Sequence, residues 1–327
     1  MNYRRLGKSE FEVSEISLGT WQVGGGWGGE FDHDMAIKIL HTAAEAGVNF
    51  IDTADVYSDG ESERVVGEFI RSRSERIYSA TKCGRRLTPH TSAEYTPAAL
   101  RNFVETSLHN MGMESLDLIQ LHCPPTEVYY RPEIFEEFDR LKDEGKIRNL
   151  GVSVEKVEEG LKAIEYPNVS TVQIIFNLLR QRPRELFFPE AKRRDVGIIV
   201  RVPLASGLLS GKFTKETTFS EDDHRHFNRD GSAFDRGETF AGLDFETGLE
   251  VVEELKSAFP DYSLAQLALR WILMFEEVSC IIPGASKSSQ VRSNVEATEL
   301  EPLTAEQMTT IDEIYDQMVK KHVHHLW

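Results

Sequence analysis

The sequence predicts an α/β fold, a (β/α)8 TIM barrel with an N-terminal β-hairpin and a C-terminal helix. Short β-branched runs alternate with longer stretches whose apolar residues recur at helical spacing. Eight such strand-then-helix units follow one another at intervals of about 30–40 residues, which favours a closed parallel barrel over an open sheet. No linker rich in Pro, Gly or Ser interrupts them, so residues 1–327 are expected to form one domain.

The units carry their own start and stop signals. Thr96 can cap a helix that begins at Pro97, and Gly47 and Gly145 can end two others. The strands are expected at residues 16–18, 50–52, 77–81, 116–121, 150–152, 171–174, 197–200 and 279–282. The helices are expected at residues 34–46, 62–70, 97–111, 132–144, 155–164, 184–194, 246–259, 263–275, 288–297 and 304–320.

Two segments do not belong to the repeating strand-then-helix units. Tyr3–Leu6 and Phe11–Val13 predict a hairpin that closes the bottom of the barrel. Residues 215–245, called the long loop below, are long for a connection without regular structure and are expected to form a lid or substrate loop. Five phenylalanines at its positions 219, 227, 234, 240 and 245 suggest that parts of it pack over a bound cofactor.

Composition limits the class of protein. Hydrophobic residues make up 40% of the 327 residues, enough for a large core, and the net charge of −17 argues against nucleic acid or an anionic membrane as a partner. The chain has no run of 18 apolar residues and no signal-peptide pattern at its start. Its three cysteines are far apart and form no CxxC, so we expect a cytoplasmic protein without a metal site.

Polar residues stand where predicted strands end. Asp52 ends the second strand, Lys82 follows the third and His122 follows the fourth, while Tyr57 lies five residues beyond Asp52. In such barrels the active site lies at the carboxyl ends of the strands, and neighbouring strands are only about 4.8 Å apart. We therefore expect these four side chains to converge.

Together these four residue types suit proton transfer to an oxygen atom. Asp52 can pair with Lys82 and keep it charged, and this cation is expected to lower the pKa of Tyr57 from about 10. Tyr57 can then exchange a proton near neutral pH while His122 orients a carbonyl oxygen. No side chain supplies a hydride, so a redox reaction here needs a cofactor.

Each of these residues also has a purely structural interpretation. Asp52 and Lys82 can be an ion pair that caps two strands, Tyr57 can pack on Trp21, and His122 can be a buried core histidine. All four at one barrel face are harder to explain in this way than any one of them.

Strings along nearly the whole chain resemble the aldo-keto reductase superfamily and occur in its order. They are FIDTADVY at 50–57, SATK at 79–82, DLIQLH at 117–122, GKIRNLGVS at 145–153, QIIFN at 173–177, PLASGLLSGK at 203–212 and IPGA at 282–285. The family's catalytic tetrad maps onto Asp52, Tyr57, Lys82 and His122. The resemblance implies reduction of an aldehyde or ketone by NADPH, or the reverse oxidation, with Tyr57 as general acid/base.

The resemblance also implies how the cofactor binds. The nicotinamide carboxamide would be held by Ser153 and Gln173 and its ring stacked on Phe176, while Val154 stands where the family has an Asn. The implied cofactor contacts are Gly19, Thr20, Trp21, Asp52, Ser153, Gln173, Phe176, Pro203, Leu204, Ser206, Gly207, Leu209, Gly211, Lys212, Gly284, Ser286, Lys287, Gln290 and Asn294.

Within this set the phosphate contacts are the most distinctive. The loop at 203–212 would lie over the pyrophosphate, with Lys212 adding charge. Ser286 and Lys287 are the candidates for the 2′-phosphate of NADP(H), and Ser293 replaces the Glu that often precedes Asn294 in the family. NAD(H) is the alternative cofactor.

Two further patterns are set aside as binding motifs. Residues 24–29 contain a G-x-G-x-x-G spacing, but five glycines around a Trp predict a loop before a helix rather than a dinucleotide fingerprint. We expect Trp21 and Trp27 to be walls of a substrate pocket that also includes Tyr57 and His122. The histidines near 224 and 324 lack a convincing ligand spacing, and solvated segments explain them better.

The sequence therefore predicts an NADP-dependent carbonyl reductase or alcohol dehydrogenase acting on a small molecule. Two alternatives stay open. One is a non-catalytic, NADP(H)-binding regulatory or redox-sensing subunit of the same fold, and the other is an aldolase that forms a Schiff base through Lys82. The identity of the substrate, the direction of the reaction and the oligomeric state, monomer or homo-oligomer, are left open by the sequence.

Overall fold

In a computed structural model, which describes residues 1–25 and 30–327, eight parallel strands form one sheet in chain order. These strands are β3 (Leu18–Gly19), β4 (Phe50–Asp52), β5 (Tyr78–Cys83), β6 (Leu116–His122), β7 (Ile147–Ser153), β8 (Val169–Ile175), β9 (Gly197–Arg201) and β10 (Val278–Ile281). The first and last strands meet through parallel bridges between Ile16 and Ile281 and between Gly19 and Gly284. These bridges close the sheet, so the predicted barrel is confirmed.

Helices follow the strands and cover the outside of the barrel. They are α1 (His33–Glu45), α2 (Glu61–Arg71), α3 (Pro97–Met111), α4 (Pro132–Asp143), α5 (Val157–Ala163), α6 (Phe187–Arg193), α7 (His224–Phe227), α8 (Phe245–Ala258), α9 (Leu264–Leu273), α10 (Ser288–Glu296), α11 (Ala305–Ile314) and α12 (Lys320–Val323). Thr96 caps α3 by accepting a hydrogen bond from the backbone N–H of Ala99, as its position before Pro97 predicts.

Strand lengths differ from the sequence prediction where side chains are buried on both faces. Strand β7 begins at Ile147 rather than Leu150, and β8 begins at Val169 rather than Thr171. Parallel strands inside a ring of helices are recognised in a sequence as continuous apolar runs. The polar residues near the starts of β7 and β8 interrupt such runs, so the sequence prediction placed both starts too late. The C-terminal helix also differs, because a π-helical turn at Tyr315–Val319 separates α11 from α12.

The N-terminal hairpin closes the bottom of the barrel, as predicted. Its strands β1 (Tyr3–Arg5) and β2 (Glu12–Ser14) pair antiparallel. The buried side chains of Leu6, Phe11 and Val13 pack against barrel residues such as Phe50 and Leu118. The hairpin therefore seals the end of the barrel opposite the carboxyl ends of its strands.

The long loop packs on itself and on the residues just before it through an aromatic cluster. Phe219 packs against Phe240 and Phe245 at centroid distances of 5.9 and 5.8 Å, and Phe213 lies 5.3 Å from Phe219. Helix α7 lies inside the loop, and Asp223 caps it by accepting a hydrogen bond from the N–H of Arg225. Within the part of the chain that the structure describes, no helix is both long and apolar enough to cross a membrane.

Trp327 fastens the end of the long loop. Its indole ring packs against Gly242, whose φ of +84° and missing side chain make room for it. The guanidinium of Arg180 lies over the same ring at 4.4 Å. Trp327 is only 6% exposed, so these contacts remove nearly the whole ring from water.

We expect Trp327→Ala to lower the free energy of unfolding by about 3 kcal/mol, because a buried aromatic ring is lost and the loop above it is left unsupported. Urea unfolding measures this loss. Leu326→Ala is the matched control, since Leu326 is 38% exposed and should change stability little. Equal effects of the two substitutions would contradict the packing role of Trp327.

Candidate active site

The barrel register brings the predicted tetrad to one level. Asp52 pairs with Ala80 between β4 and β5, Lys82 with Gln120 between β5 and β6, and His122 with Ser153 between β6 and β7. Three neighbouring strand ends therefore meet at the mouth of the barrel. Tyr57 reaches the same place from the 3₁₀ turn that follows β4.

Asp52 is the centre of a buried polar network. Its carboxylate pairs with the ammonium of Lys82, and both side chains are nearly inaccessible to solvent. The Nε2 atoms of Gln120 and Gln173 donate to its other oxygen at 3.0 and 2.8 Å. Lys82 also donates to the main-chain oxygen of Thr53 at 2.9 Å. These bonds satisfy both charges and fix the position of the ammonium.

Tyr57 lies between this cation and the open cavity. The Nζ atom of Lys82 donates a hydrogen bond to its hydroxyl at 3.4 Å. The ring of Tyr57 stacks on Trp21 at a centroid distance of 6.3 Å and meets the edge of His122 at 6.1 Å. Tyr57 therefore has a cation at its hydroxyl and two rings that restrict its rotation.

Burial dominates the protonation of Tyr57. It raises the pKa of the phenol above its ordinary value, while the charge of Lys82 lowers it and offsets only part of that rise. The expected fall in the pKa of Tyr57 is wrong, because desolvation of the phenolate outweighs the neighbouring cation. Tyr57 therefore carries its proton at neutral pH.

Lys82 and His122, which flank Tyr57, differ in charge: the first is cationic and the second is neutral. Burial lowers the pKa of Lys82, but the charge of Asp52 reverses this and leaves the pKa raised, so the amine stays cationic. Burial, and then the charges of Arg85 and Lys82, hold the pKa of His122 well below its ordinary value. His122 is thus neutral, with one ring nitrogen a donor and the other an acceptor.

A cavity of about 410 Å³ extends from these residues across the carboxyl ends of the strands. Most of the predicted cofactor contacts line it: Gly19, Thr20, Trp21, Asp52, Ser153, Gln173, Pro203, Leu204, Ser206, Gly207, Lys212, Gly284, Ser286 and Gln290. Tyr57 and His122 line it too, while Trp27, the other predicted pocket wall, lies outside the described residues.

Phe176 is not at the cavity. It is fully buried, with its ring 4.8 Å from those of Phe188 and Trp271 and 5.0 Å from that of Phe275. The side chain points outward between the barrel and its helices, so the predicted ring-stacking contact has to be corrected. Arg201, at the end of the neighbouring strand β9, does line the cavity.

Four other predicted contacts also lie off the cavity wall. Leu209 and Asn294 are buried in the packing around their own elements, and Gly211 supplies a turn with φ of +70°. Lys287 is exposed at the N-cap of α10. There the Oε1 atom of Gln290 accepts from the N–H of Lys287 at 3.0 Å.

A second charged network, unpredicted from the sequence, borders the same cavity. Arg201 donates to Glu155 at 2.9 Å and lies 3.7 Å from Glu238 of the long loop, which also pairs with Arg85 at 3.1 Å. Arg201 ends a barrel strand, so the rule that located the tetrad could also have found it. Nothing in the sequence pointed to Glu238 as a cavity residue, because it lies in the long loop and not at the end of a predicted strand.

This network includes a group that resembles a metal site. The ligand atoms of Cys123, Glu155 and Glu238 lie within 4.8 Å of one another. However, the guanidinium of Arg201 already contacts the sulfur at 3.5 Å and the Glu155 carboxylate at 2.9 Å. The guanidinium of Arg201 therefore already neutralises the group that a metal ion would bind, which argues against a metal site here.

The fold and the site together define the class of protein. A model of the Aldo/keto reductase family matches residues 15–316, and the chain belongs to this family of oxidoreductases. The family assignment made from the sequence motifs is thereby confirmed.

Particular relatives are similar over nearly their whole length. The structure of aldo-keto reductase AKR11C1 from Bacillus halodurans (holo form) is 29% identical, with a TM-score of 0.77 and 96% of each chain covered. Glycerol dehydrogenase AKR11B4 from Gluconobacter oxydans is 29% identical, with a TM-score of 0.76 and 98% of this chain and 96% of that chain covered. The NADH-specific methylglyoxal reductase of Escherichia coli (strain K12) is 28% identical over 319 residues, 90% of this chain and 93% of the relative.

We expect Lys82→Met to lower the free energy of unfolding by about 3–5 kcal/mol, because Asp52 loses its partner inside the barrel. The double variant Asp52→Asn/Lys82→Met should recover most of this loss, since no buried charge remains. Chemical denaturation measures both, with Lys215→Met, at an exposed lysine, as the control. A single variant as stable as the wild type would show that the two charges are not coupled.

Proposed function

We propose that this chain transfers a hydride between NADP(H) and an aldehyde or ketone, or the corresponding alcohol, with Tyr57 as the general acid/base. One observation carries the proposal. At the open cavity the hydroxyl of Tyr57 lies 3.4 Å from the ammonium of Lys82, which Asp52 holds in place from below. An oxygen bound beside Tyr57 and His122 would meet a proton donor supported by a fixed positive charge.

The residues around the cavity fit a nicotinamide dinucleotide. Polar groups at its inner end, Ser153 and Gln173, suit a carboxamide, and the cations Lys212 and Arg225 line the part near the glycine-containing loop at 203–212. Ser206 and Gly207 adopt left-handed backbone conformations there, with φ of +57° and +90°, which bring the main chain close to the cavity. The nicotinamide supplies the hydride that no side chain can provide.

The preference for NADP(H) over NAD(H) rests on the start of α10. Ser286 lines the cavity, and Lys287 stands beside it at the N-cap of the helix. A phosphate there would gain a hydroxyl, a cation and the positive end of a helix. It would also compete with Gln290, whose side-chain oxygen accepts from the N–H of Ser286 at 2.8 Å. We therefore propose NADP(H), with NAD(H) as the alternative.

During reduction, the chain's own task is to hold and deliver a proton. Neutral His122 can donate to the substrate oxygen, orienting it against Tyr57. As that oxygen gains negative charge, the hydroxyl of Tyr57 releases its proton to it. The resulting phenolate is stabilised by Lys82, whose charge Asp52 maintains. In the oxidative direction the same phenolate accepts the proton.

The charge state of Lys82 argues against the aldolase alternative. A Schiff-base lysine must be neutral to attack a carbonyl, whereas Lys82 is buried against Asp52 with its pKa raised. The regulatory alternative shares the fold and the cavity, so turnover itself separates it from the enzyme.

Tyr57→Phe is the test of the proposal. We expect turnover of NADPH with a panel of carbonyl compounds to fall by about 10²–10⁴-fold, because the proton donor is lost. The dissociation constant of NADPH should change little, since the ring and its stacking on Trp21 remain. Undiminished turnover would refute the role of Tyr57, and a wild type that binds NADPH without turnover would favour the regulatory alternative.

The raised pKa of Tyr57 also sets the expected pH dependence. Reduction needs the phenol, so its kcat/KM should hold through neutral pH and fall only as pH passes the pKa of Tyr57, above about 10. Oxidation needs the phenolate and should increase steadily as pH rises. Initial rates in both directions between neutral and alkaline pH measure this, and an oxidation rate that falls with rising pH would contradict the assignment.

A further inference from the structure

The substrate end of the cavity is walled by two kinds of group. Trp21 covers one side, where its ring stacks on Tyr57 and lies 5.0 Å from the ring of His224. Arg201 and Glu238 also line the cavity, and both lie close enough to Tyr57 to interact with its hydroxyl electrostatically. A small molecule bound at Tyr57 and His122 would therefore contact aromatic faces and one carboxylate–guanidinium pair.

Glu238 is the accessible carboxylate of this cavity. Among the described residues that line it, Asp52 and Glu238 carry carboxyl groups. Asp52 is 2% exposed and its oxygens are engaged by Lys82, Gln120 and Gln173. The side chain of Glu238 is 10% exposed, so part of it faces the cavity.

The surroundings of Glu238 keep it ionised. Burial raises its pKa, but the guanidinium groups of Arg85 and Arg201 outweigh this and hold the pKa below its ordinary value. Arg85 donates to Oε1 at 3.1 Å, while Arg201 stands 3.7 Å from Oε2. The side chain of Glu155 also shares a hydrogen bond with this carboxylate. Since a carboxylate offers about four lone-pair positions, these three contacts leave room for one further donor.

The loop position of Glu238 is also fixed. The hydroxyl of Ser206 donates to its main-chain oxygen at 2.8 Å, and the indole of Trp327 packs beside Gly237 and Gly242 on either side of it. The carboxylate is therefore presented by a braced segment and needs little reorganisation to bind a ligand.

We propose that Glu238 is a specificity-determining residue that accepts a hydrogen bond from a hydroxyl next to the reacting carbonyl. The preferred substrates would be small hydroxyaldehydes or hydroxyketones, and in the reverse direction short polyols. This inference rests on the proposed function and narrows its substrate class. An ionised, largely desolvated carboxylate is a strong acceptor for a hydroxyl, so a substrate that carries this hydroxyl should be preferred over an analogue that lacks it.

The charge of Arg201 does not turn this pocket into a site for acids. Its guanidinium donates to Glu155 at 2.9 Å and to the main-chain oxygen of Val154 at 3.2 Å, with Glu238 close by. Burial raises the pKa of Glu155 to about 8, so at neutral pH the ionised carboxylate beside Arg201 is that of Glu238. A keto acid would have to place a second negative charge next to it, so we expect carboxylate-bearing carbonyls to be poor substrates.

The experiment compares glyceraldehyde with propanal as substrates of the full chain with NADPH. The wild type should favour glyceraldehyde in kcat/KM by about 10-fold or more, the value of one charge-assisted hydrogen bond. In Glu238→Gln this ratio should fall by about 10-fold, while kcat/KM for propanal stays within about 3-fold of the wild type.

Arg85→Lys is the matched control for a merely structural role. It changes the geometry of the ion pair that ties Glu238 to the β5 side of the barrel but keeps a cation beside the carboxylate, so Glu238 stays ionised and the glyceraldehyde preference should persist. An equal loss of preference in both variants would overturn the proposal, because the loop's position alone would then explain it. The proposal would also be overturned if the wild type showed no preference between the two aldehydes. This comparison does not depend on whether any variant folds.

The outcome also separates this inference from the function on which it rests. If the wild type reduces both aldehydes equally well, Glu238 has no role in recognition and the reductase function stands. If no carbonyl is turned over at all, both proposals fall. As a binding readout, NADP⁺-loaded wild type should bind glycerol more tightly than propan-1-ol, and Glu238→Gln should lose that difference.

Discussion

A buried pair between Lys82 and Asp52 sets the chemistry of this barrel mouth. Neither charge would be tolerated there alone, because the cost of removing an ion from water is repaid only by a close partner and further hydrogen bonds. Gln120 and Gln173 supply those bonds to Asp52, and the carbonyl of Thr53 supplies one to Lys82. The result is a fixed cation whose free side faces the hydroxyl of Tyr57.

The competition between desolvation and charge decides what Tyr57 can do. Burial makes the phenolate costly, and Lys82 recovers only part of that cost. The tyrosine is therefore a phenol at neutral pH, and in the proposed reaction it would become a phenolate only when it gives its proton to a substrate oxygen beside it. A residue that is protonated at rest and assisted on ionisation suits a reaction run in either direction.

The same physics recurs across the long loop. Arg201 and Arg85 link the ends of β9 and β5 to Glu238, so ion pairs tie the loop to the barrel. The packing of Phe219 on Phe213, a residue that lines the cavity, adds an apolar contact. In our proposal, one network serves proton transfer at the strand ends, and the other shapes the wall that a substrate would contact. Both networks are held together by oppositely charged side chains that pair with one another inside the protein.

The amino-acid sequence alone determined the barrel, its hairpin cap, the three polar residues at strand ends and Tyr57 in the loop after β4, because the repeating units and the strand-end rule are local and periodic. Tertiary structure alone decided that Phe176 packs outward among Phe188, Trp271 and Phe275, since a single residue past a strand end can face either way. It also decided that Glu238 reaches the cavity and that burial outweighs the cation at Tyr57. Both outcomes depend on how completely segments distant in sequence exclude water from these side chains. The spacing and composition of the sequence do not reveal this degree of burial.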